Sequence, residues 1–184
     1  MIKELNNPLS GDYIELKNFI LSCDFPWFRF TNTTHNINDD SIEMFSHTFL
    51  ERPEANKGYS KANSPYIDGC IDVVKQILIA NNIKFDLFFR LSCNLVFPTK
   101  EVRKTSEHVD HEFFHKNILI YLSDSDGDTV VENQIYKPRE DSAIIFSGKH
   151  YHYTPSQKNR IVLVGLYFYS NLFIISLLQM MIDC

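Results

Sequence analysis

Two metal-ligand patterns overlap in one stretch, HVDHEFFHKNILIYL, His108 to Leu122. HEFFH, His111 to His115, satisfies the His-Glu-x-x-His pattern, in which a helix turns two imidazoles and a general base toward zinc. HVD, His108 to Asp110, satisfies the His-x-Asp opening of a non-haem Fe(II) site, where two histidines and a carboxylate hold the ion on one face. The two patterns need different backbones. Zinc ligation by HEFFH requires a helix through it, whereas His-x-Asp requires an extended strand end, on which alternate side chains point the same way. KNILIYLSDSDG follows HEFFH and is β-rich, TSEHVD before it leaves room for only a very short helix, and no later Glu or His lies on a second helix as third ligand. HVD, by contrast, has further chemistry downstream: HYH, His150 to His152, after the apolar run SAIIFSG, and then Arg160 opening RIVLVGLYF. A planar, permanently charged guanidinium suits a buried carboxylate partner.

The elements that must position these groups divide the chain in texture. In the first third, Ser10 and Asp12 suit the cap of a helix carrying Tyr13, Leu16, Phe19, Ile20 and Leu21, and DFPWFRF reads as extended. Residues 31–61 read as a long polar loop around FSHTFL. SPYIDGCIDVVKQILIANN predicts a helix, with Ser64 as N-cap, Pro65 as first residue and Ile67, Ile71, Val74 and Leu78 at helical spacing. From FDLFFRLSCNLVF onward, short β-branched and aromatic runs alternate with PTKE, SDSDGD, KPREDS and TPSQKN, which predicts an all-β sandwich or barrel. The reading is one domain: a helical and loop support region over 1–85, a β core with the metal site over 86–170, and a terminal segment over 171–184. Trp27, Phe28 and Phe30 read as core, and His35 and His47 as surface or loop histidines.

Composition narrows the class. The chain has 184 residues, 44% of them hydrophobic, with net charge −5, and its Lys and Arg are scattered, which argues against duplex nucleic acid as a partner. Cys23, Cys70, Cys93 and Cys184 show no CxxC spacing and read as reduced thiols of a cytoplasmic protein. The amino terminus is too polar for a signal peptide, and the apolar run in NLFIISLLQMMIDC is too short to span a bilayer. That tail reads as a packed helix or strand, with a homodimer contact as the second use.

In order, RLSCN, HVD, ILIYL, GDT (Gly127 to Thr129), IIF, HYH and NRIVL resemble the 2-oxoglutarate/Fe(II)-dependent dioxygenases. The similarity is to the prolyl-4-hydroxylase-like branch and to small members from phages and marine bacteria, and it runs from Arg90 to Phe168, more weakly including FSHTFL. The resemblance implies a double-stranded β-helix (jelly-roll) core behind amino-terminal helices. It implies Fe(II) held by His108, Asp110 and a third histidine, with 2-oxoglutarate as cosubstrate, O₂ as oxidant and ascorbate in support. For the third ligand, His152 stands six residues after Phe146, the family's usual offset, whereas His150 has the more usual distance to Arg160; alternation and register favour His152. Arg160 would pair with the distal carboxylate of 2-oxoglutarate, and Tyr121, Thr129 and Asn94 would line the same pocket. Arg90 would approach the substrate side, and residues 31–61 and 99–107 would cover a peptide or small-molecule substrate. The reaction implied is hydroxylation with release of succinate and CO₂. The competing classes are a non-catalytic cupin-like binder, which has no need of Arg160, and a zinc hydrolase using HEFFH.

Overall fold

The structure is a computed structural model and describes residues 1–33 and 42–170. His35, Cys184 and the apolar tail lie outside the described residues. Eleven strands and two α-helices follow one another as β1 (Lys3–Leu5), α1 (Gly11–Ile20), β2 (Phe28–Phe30), β3 (Met44–Glu51), β4 (Lys61–Ala62), α2 (Ile67–Ala80), β5 (Leu87–Val96), β6 (Lys116–Tyr121), β7 (Thr129–Val131), β8 (Gln134–Tyr136), β9 (Ala143–Phe146), β10 (His150–His152) and β11 (Arg160–Phe168), with a short 3₁₀ turn at Pro53–Ala55. A large antiparallel sheet runs β1-β9-β6-β11-β5-β3-β2, with β4 on β3, and a small sheet runs β10-β7-β8.

Alternation on the central strands builds two cores from one sheet. Ile118 and Ile120 of β6 and Leu163 of β11 face the helices, where they pack with Tyr13, Ile20, Val74, Ile77 and Leu78. Leu119, Tyr121, Val162, Val164 and Leu166 face the small sheet and meet Val131 and Tyr136. Gly165 lies in β11 where a Cβ would sit 2.8 Å from Ile118 Cγ2 and 3.1 Å from Leu91 Cδ2, so the close approach of β6 and β5 there needs a residue without a side chain.

Both helices form where the apolar spacing places them. Ser10 caps α1, its Oγ accepting from the Tyr13 amide at 3.2 Å. In α2 the cap is Tyr66 rather than Ser64. The Ser64 hydroxyl is engaged instead by His47 Nε2 at 2.8 Å and by the Tyr66 amide at 3.2 Å, which delays the helix by two residues. That contact also corrects the reading of His47: it lies in β3, 4% exposed, with Nδ1 donating to Pro26 O. FSHTFL is thus a strand of the main sheet rather than part of a loop, registered on β5 from Phe45↔Leu95 to Leu50↔Leu91. Phe28 and Phe30 are exposed, at 58% and 37%, and are not core, because β2 is the sheet edge. Cys23, Cys70 and Cys93 are free thiols. Among the described residues no helix is long and apolar enough to cross a membrane.

Candidate metal centre and adjoining cavity

The open end of the sandwich is closed by a short ladder. His108 and His150 form an antiparallel bridge, each amide donating to the other's carbonyl at 3.0 and 2.9 Å. Residues so paired carry their side chains on the same face, and the two imidazole centroids are 4.5 Å apart. Asp110, two residues beyond His108, joins them, and its Oδ2 lies 3.4 Å from His150 Nε2. The ligand atoms of His108, Asp110 and His150 all lie within 4.8 Å of one another, a two-histidine, one-carboxylate donor set. His108 Nδ1 donates to Ser106 O at 2.9 Å and His150 Nδ1 to Gly148 O at 3.3 Å, which leaves each Nε2 lone pair for a ligand role.

The electrostatics suit a cation. Burial alone would raise the Asp110 carboxyl, but the charges of His150, Arg90 and His108 outweigh it and hold it below the usual range. Burial pushes the His150 imidazole down, toward the neutral form that coordinates metal.

His152, favoured by the six-residue offset from Phe146, is not in this group. It pairs with Thr129 of β7 one step deeper along β10, and its amide donates to Thr105 Oγ1 at 3.0 Å. It is held neutral first by burial and then by the nearby Arg160. His150 and His152 share a face, so only the cross-strand pairing with His108 separates them.

Behind the triad a narrow cavity of about 60 Å³ runs between the sheets, bounded by Asn94, Asn117, Thr129, His152 and Arg160 as well as the triad itself. It is large enough for a few water-sized groups, and its wall mixes these polar groups with the apolar Leu119, Val162 and Val164. Arg160 is 3% exposed. Its Nε donates to Gly127 O at 3.2 Å and a terminal nitrogen to Thr129 Oγ1 at 2.9 Å, and it lies 5.6 Å from the Tyr121 ring. It forms no ion pair among the described residues, and burial lowers its pKa with no carboxylate to offset that. Gly127 allows this seat, since a Cβ there would lie 2.8 Å from Tyr153 O and 3.1 Å from Arg160 Cδ. Asn117, 1% exposed, has no hydrogen-bond partner for its amide nitrogen or oxygen among the described residues. A buried guanidinium without a carboxylate and a buried amide without partners are both costly alone, and both face one cavity.

The remaining expected pocket residues divide. Thr129 and Asn94 line the cavity, Asn94 Oδ1 accepting from Ser46 Oγ at 2.7 Å. Tyr121 lies behind it, fully buried, its hydroxyl 2.8 Å from Thr129 Oγ1. Asn117 went unremarked in the sequence, although a polar residue in phase with the inward Leu119 and Tyr121 was a usable signal.

HEFFH is not helical, and among the described residues no third ligand joins its two histidines, whose rings lie 5.3 Å apart. His111 Nδ1 is 2.5 Å from Glu54 Oε1, and His115 Nδ1 donates to Phe113 O at 2.8 Å. A second, larger cleft of about 700 Å³ adjoins the group, lined by Ser46, Thr48, Glu51, Arg52, Glu54 and Arg90 together with His108 and Asp110. Residues 31–33 and 44–55 contribute to its wall. The segment 99–107 is tied to β10 rather than to the cleft, with Thr105 N donating to His152 O at 2.9 Å.

No protein-family model matches the chain, and no curated protein matches it in sequence. Solved structures do resemble it in fold. A 2OG-Fe(II) oxygenase family oxidoreductase from Burkholderia pseudomallei superposes with TM-score 0.69 at 14% identity, over 90% of this chain and 84% of that one. A prolyl hydroxylase from Trichoplax adhaerens, in complex with a hypoxia inducible factor peptide fragment, gives 0.56 at 14% identity, over 91% and 83%. A non-heme alpha-ketoglutarate-dependent epimerase of nogalamycin biosynthesis gives 0.57 at 11% identity, over 91% and 76%. The fold is therefore the jelly roll of these oxygenases. Because hydroxylase and epimerase share it, the fold does not name the reaction.

Proposed function

We propose that this protein is a 2-oxoglutarate- and Fe(II)-dependent oxygenase that hydroxylates a small molecule or a peptide side chain. The observation that carries the reading is Arg160: a buried guanidinium, without a carboxylate partner among the described residues, in the cavity that begins at the His108–Asp110–His150 group. A protein that only bound metal would have no use for this uncompensated charge.

His108, Asp110 and His150 would hold the ion, their donor set being that of an Fe(II) centre with open positions. Bound Fe(II) would supply activation of O₂ beside a chelating 2-oxo acid. The chain's own residues bind and orient. Arg160 meets the distal carboxylate of 2-oxoglutarate, with Thr129 fixing the guanidinium and Tyr121 fixing Thr129. Asn117 has both amide atoms free for the cosubstrate, and His152, neutral and in the cavity wall, fills space without competing for the anion's charge. The packed apolar faces of Leu119, Val162 and Val164 keep bulk water from that cavity. Overall, one oxygen atom of O₂ enters the substrate C–H as hydroxyl and the other enters succinate as CO₂ leaves. Ascorbate would serve only to keep the iron reduced.

The test is turnover. Protein with Fe(II), ascorbate and 2-oxoglutarate should form succinate, slowly in the absence of substrate, and Asp110→Ala should abolish it. Folded, metal-loaded protein that neither binds nor decarboxylates 2-oxoglutarate would overturn the proposal.

A further inference from the structure

The turn between Asp110 and β6 holds two imidazoles that the oxygenase reading does not use. His111 and His115 are 5% and 6% exposed. Each is held through Nδ1, His111 donating to Glu54 Oε1 at 2.5 Å and His115 to Phe113 O at 2.8 Å. The hold on His115, a carbonyl two residues back, is the one that Ser106 O provides for His108 and Gly148 O for His150. In all four histidines Nδ1 is engaged and Nε2 is left over. That is how coordinating imidazoles are oriented, with the second nitrogen on a carboxylate or a backbone carbonyl.

Nε2 sets this pair apart from ordinary core histidines. Both Nε2 atoms are buried, and neither has a hydrogen-bond partner among the described residues. Buried side-chain polar atoms are in large majority paired. With the proton on Nδ1, a neutral imidazole offers only a lone pair at Nε2, so the two rings cannot satisfy one another. The rings stand at 87°, their centroids 5.3 Å apart. Two imidazoles on one tetrahedral zinc, with Zn–N bonds of about 2.0–2.1 Å, have centroids about 5 Å apart. Placed in line across the ion, they would be about 6 Å apart. Aromatic rings pack around the pair: Phe113 stacks on His111 at 4.6 Å, and Phe89 meets Phe113 at 4.7 Å.

We infer that His111 and His115 form a second metal site, separate from the His108–Asp110–His150 group, which takes Zn(II) through both Nε2 atoms with water in the remaining positions. Its protein donors are nitrogen alone, which suits zinc and its neighbours rather than calcium or magnesium, which take oxygen. A turn, not a helix, brings the two histidines together, and the ion has a structural role with no step of the oxygenase reaction routed through it. It ties the residue after Asp110 to the start of β6 and, through Glu54, to the wall of the larger cleft.

The experiment is metal analysis of the full chain after dialysis against buffered micromolar Zn(II). The parent should retain two ions per chain. His111→Gln and His115→Gln should each retain one, and so should the double variant His108→Ala with His150→Ala, which removes both imidazoles of the first group. Glu54→Gln removes no ligand and should weaken one of the two ions by about 10- to 100-fold. Co(II) in the double variant should show the intense visible absorption of tetrahedral coordination, and adding His115→Gln should erase it. Thermal melting of the metal-free proteins checks that each variant is folded, and Glu54→Gln and the Co(II) spectrum decide the matter if a histidine variant is not. One ion in the parent, two in either histidine variant, none in the folded double variant, an unchanged affinity in Glu54→Gln, or a weak six-coordinate Co(II) spectrum would each overturn the inference. Succinate formation is a separate readout, so failure of the oxygenase reading leaves these counts as they are.

Discussion

Replacing Arg160 by Met separates a residue that cements the fold from one that awaits a ligand. Met keeps the length and removes the charge. Lost are the bonds to Gly127 O at 3.2 Å and Thr129 Oγ1 at 2.9 Å, worth about 1.5–3 kcal/mol each for a charged donor. Regained is the desolvation of a buried, unpaired guanidinium, on the order of several kcal/mol. The two nearly cancel, so the ligand-free variant should stay within about 2 kcal/mol of the parent, compared with about 3–5 kcal/mol for breaking a compensated buried pair. The ligand response should differ sharply. At about 100 times its Kd, a ligand stabilises the native state by about 2.7 kcal/mol. At about 2–4 °C per kcal/mol for a chain of this size, 2-oxoglutarate should raise the Tm of the Mn(II)-loaded parent by about 5–11 °C. Arg160→Met should show almost none of that shift. Differential scanning calorimetry reads both quantities on the same samples. A variant that loses 3–5 kcal/mol without ligand, on the scale just given, or that keeps the 2-oxoglutarate shift, would refute the reasoning.

Other substitutions probe the remaining parts. His150→Ala should abolish Fe(II) binding measured by metal analysis after dialysis, whereas His152→Ala should keep the metal and weaken 2-oxoglutarate; the reverse pattern would move the third ligand deeper. Gly127→Ala places a Cβ 2.8 Å from Tyr153 O and 3.1 Å from Arg160 Cδ, so it should cost about 1–3 kcal/mol and raise the 2-oxoglutarate Kd. Burial is the largest single influence on Asp126 and raises it, but hydrogen bonds from Ser156, Lys158 and Gln157 together outweigh this and hold it well below the carboxylate range. A depressed folded pKa means stability present above the unfolded value, about 3.9, and lost as pH falls through the folded one. The Tm gap between the parent and Asp126→Asn should therefore be constant near neutrality and shrink below about pH 4; a gap independent of pH would remove the carboxylate from the account.

Much of the candidate site's placement was legible because its signals are local. HVD needs only alternation to place His108 and Asp110 together, and the order HVD, HYH, Arg160 survives folding as one wall and one cavity. Which histidine stands beside His108 and Asp110 was not legible, because His150 and His152 face the same way and only the bridge from His108 to His150 separates them. That bridge spans a separation of 42 positions in the chain and depends on how the segment around Thr105 docks on β10. FSHTFL was hidden by its polar flanks, and its burial comes from pairing with β5, which no local pattern records. HEFFH shows the converse: a complete short motif whose residues serve a turn, with His111 turned to Glu54. Asn117 carries a weak local signal and acquires meaning only from what the fold leaves unpaired around it.

The most direct measurement is anaerobic titration of the Fe(II)-loaded protein with 2-oxoglutarate, followed in the visible spectrum. Chelation of the 2-oxo acid at an open-sided His108–Asp110–His150 site predicts a weak metal-to-ligand charge-transfer band that grows to one equivalent and is missing in Asp110→Ala. A protein that retains its metal yet develops no band at saturating 2-oxoglutarate would contradict the account.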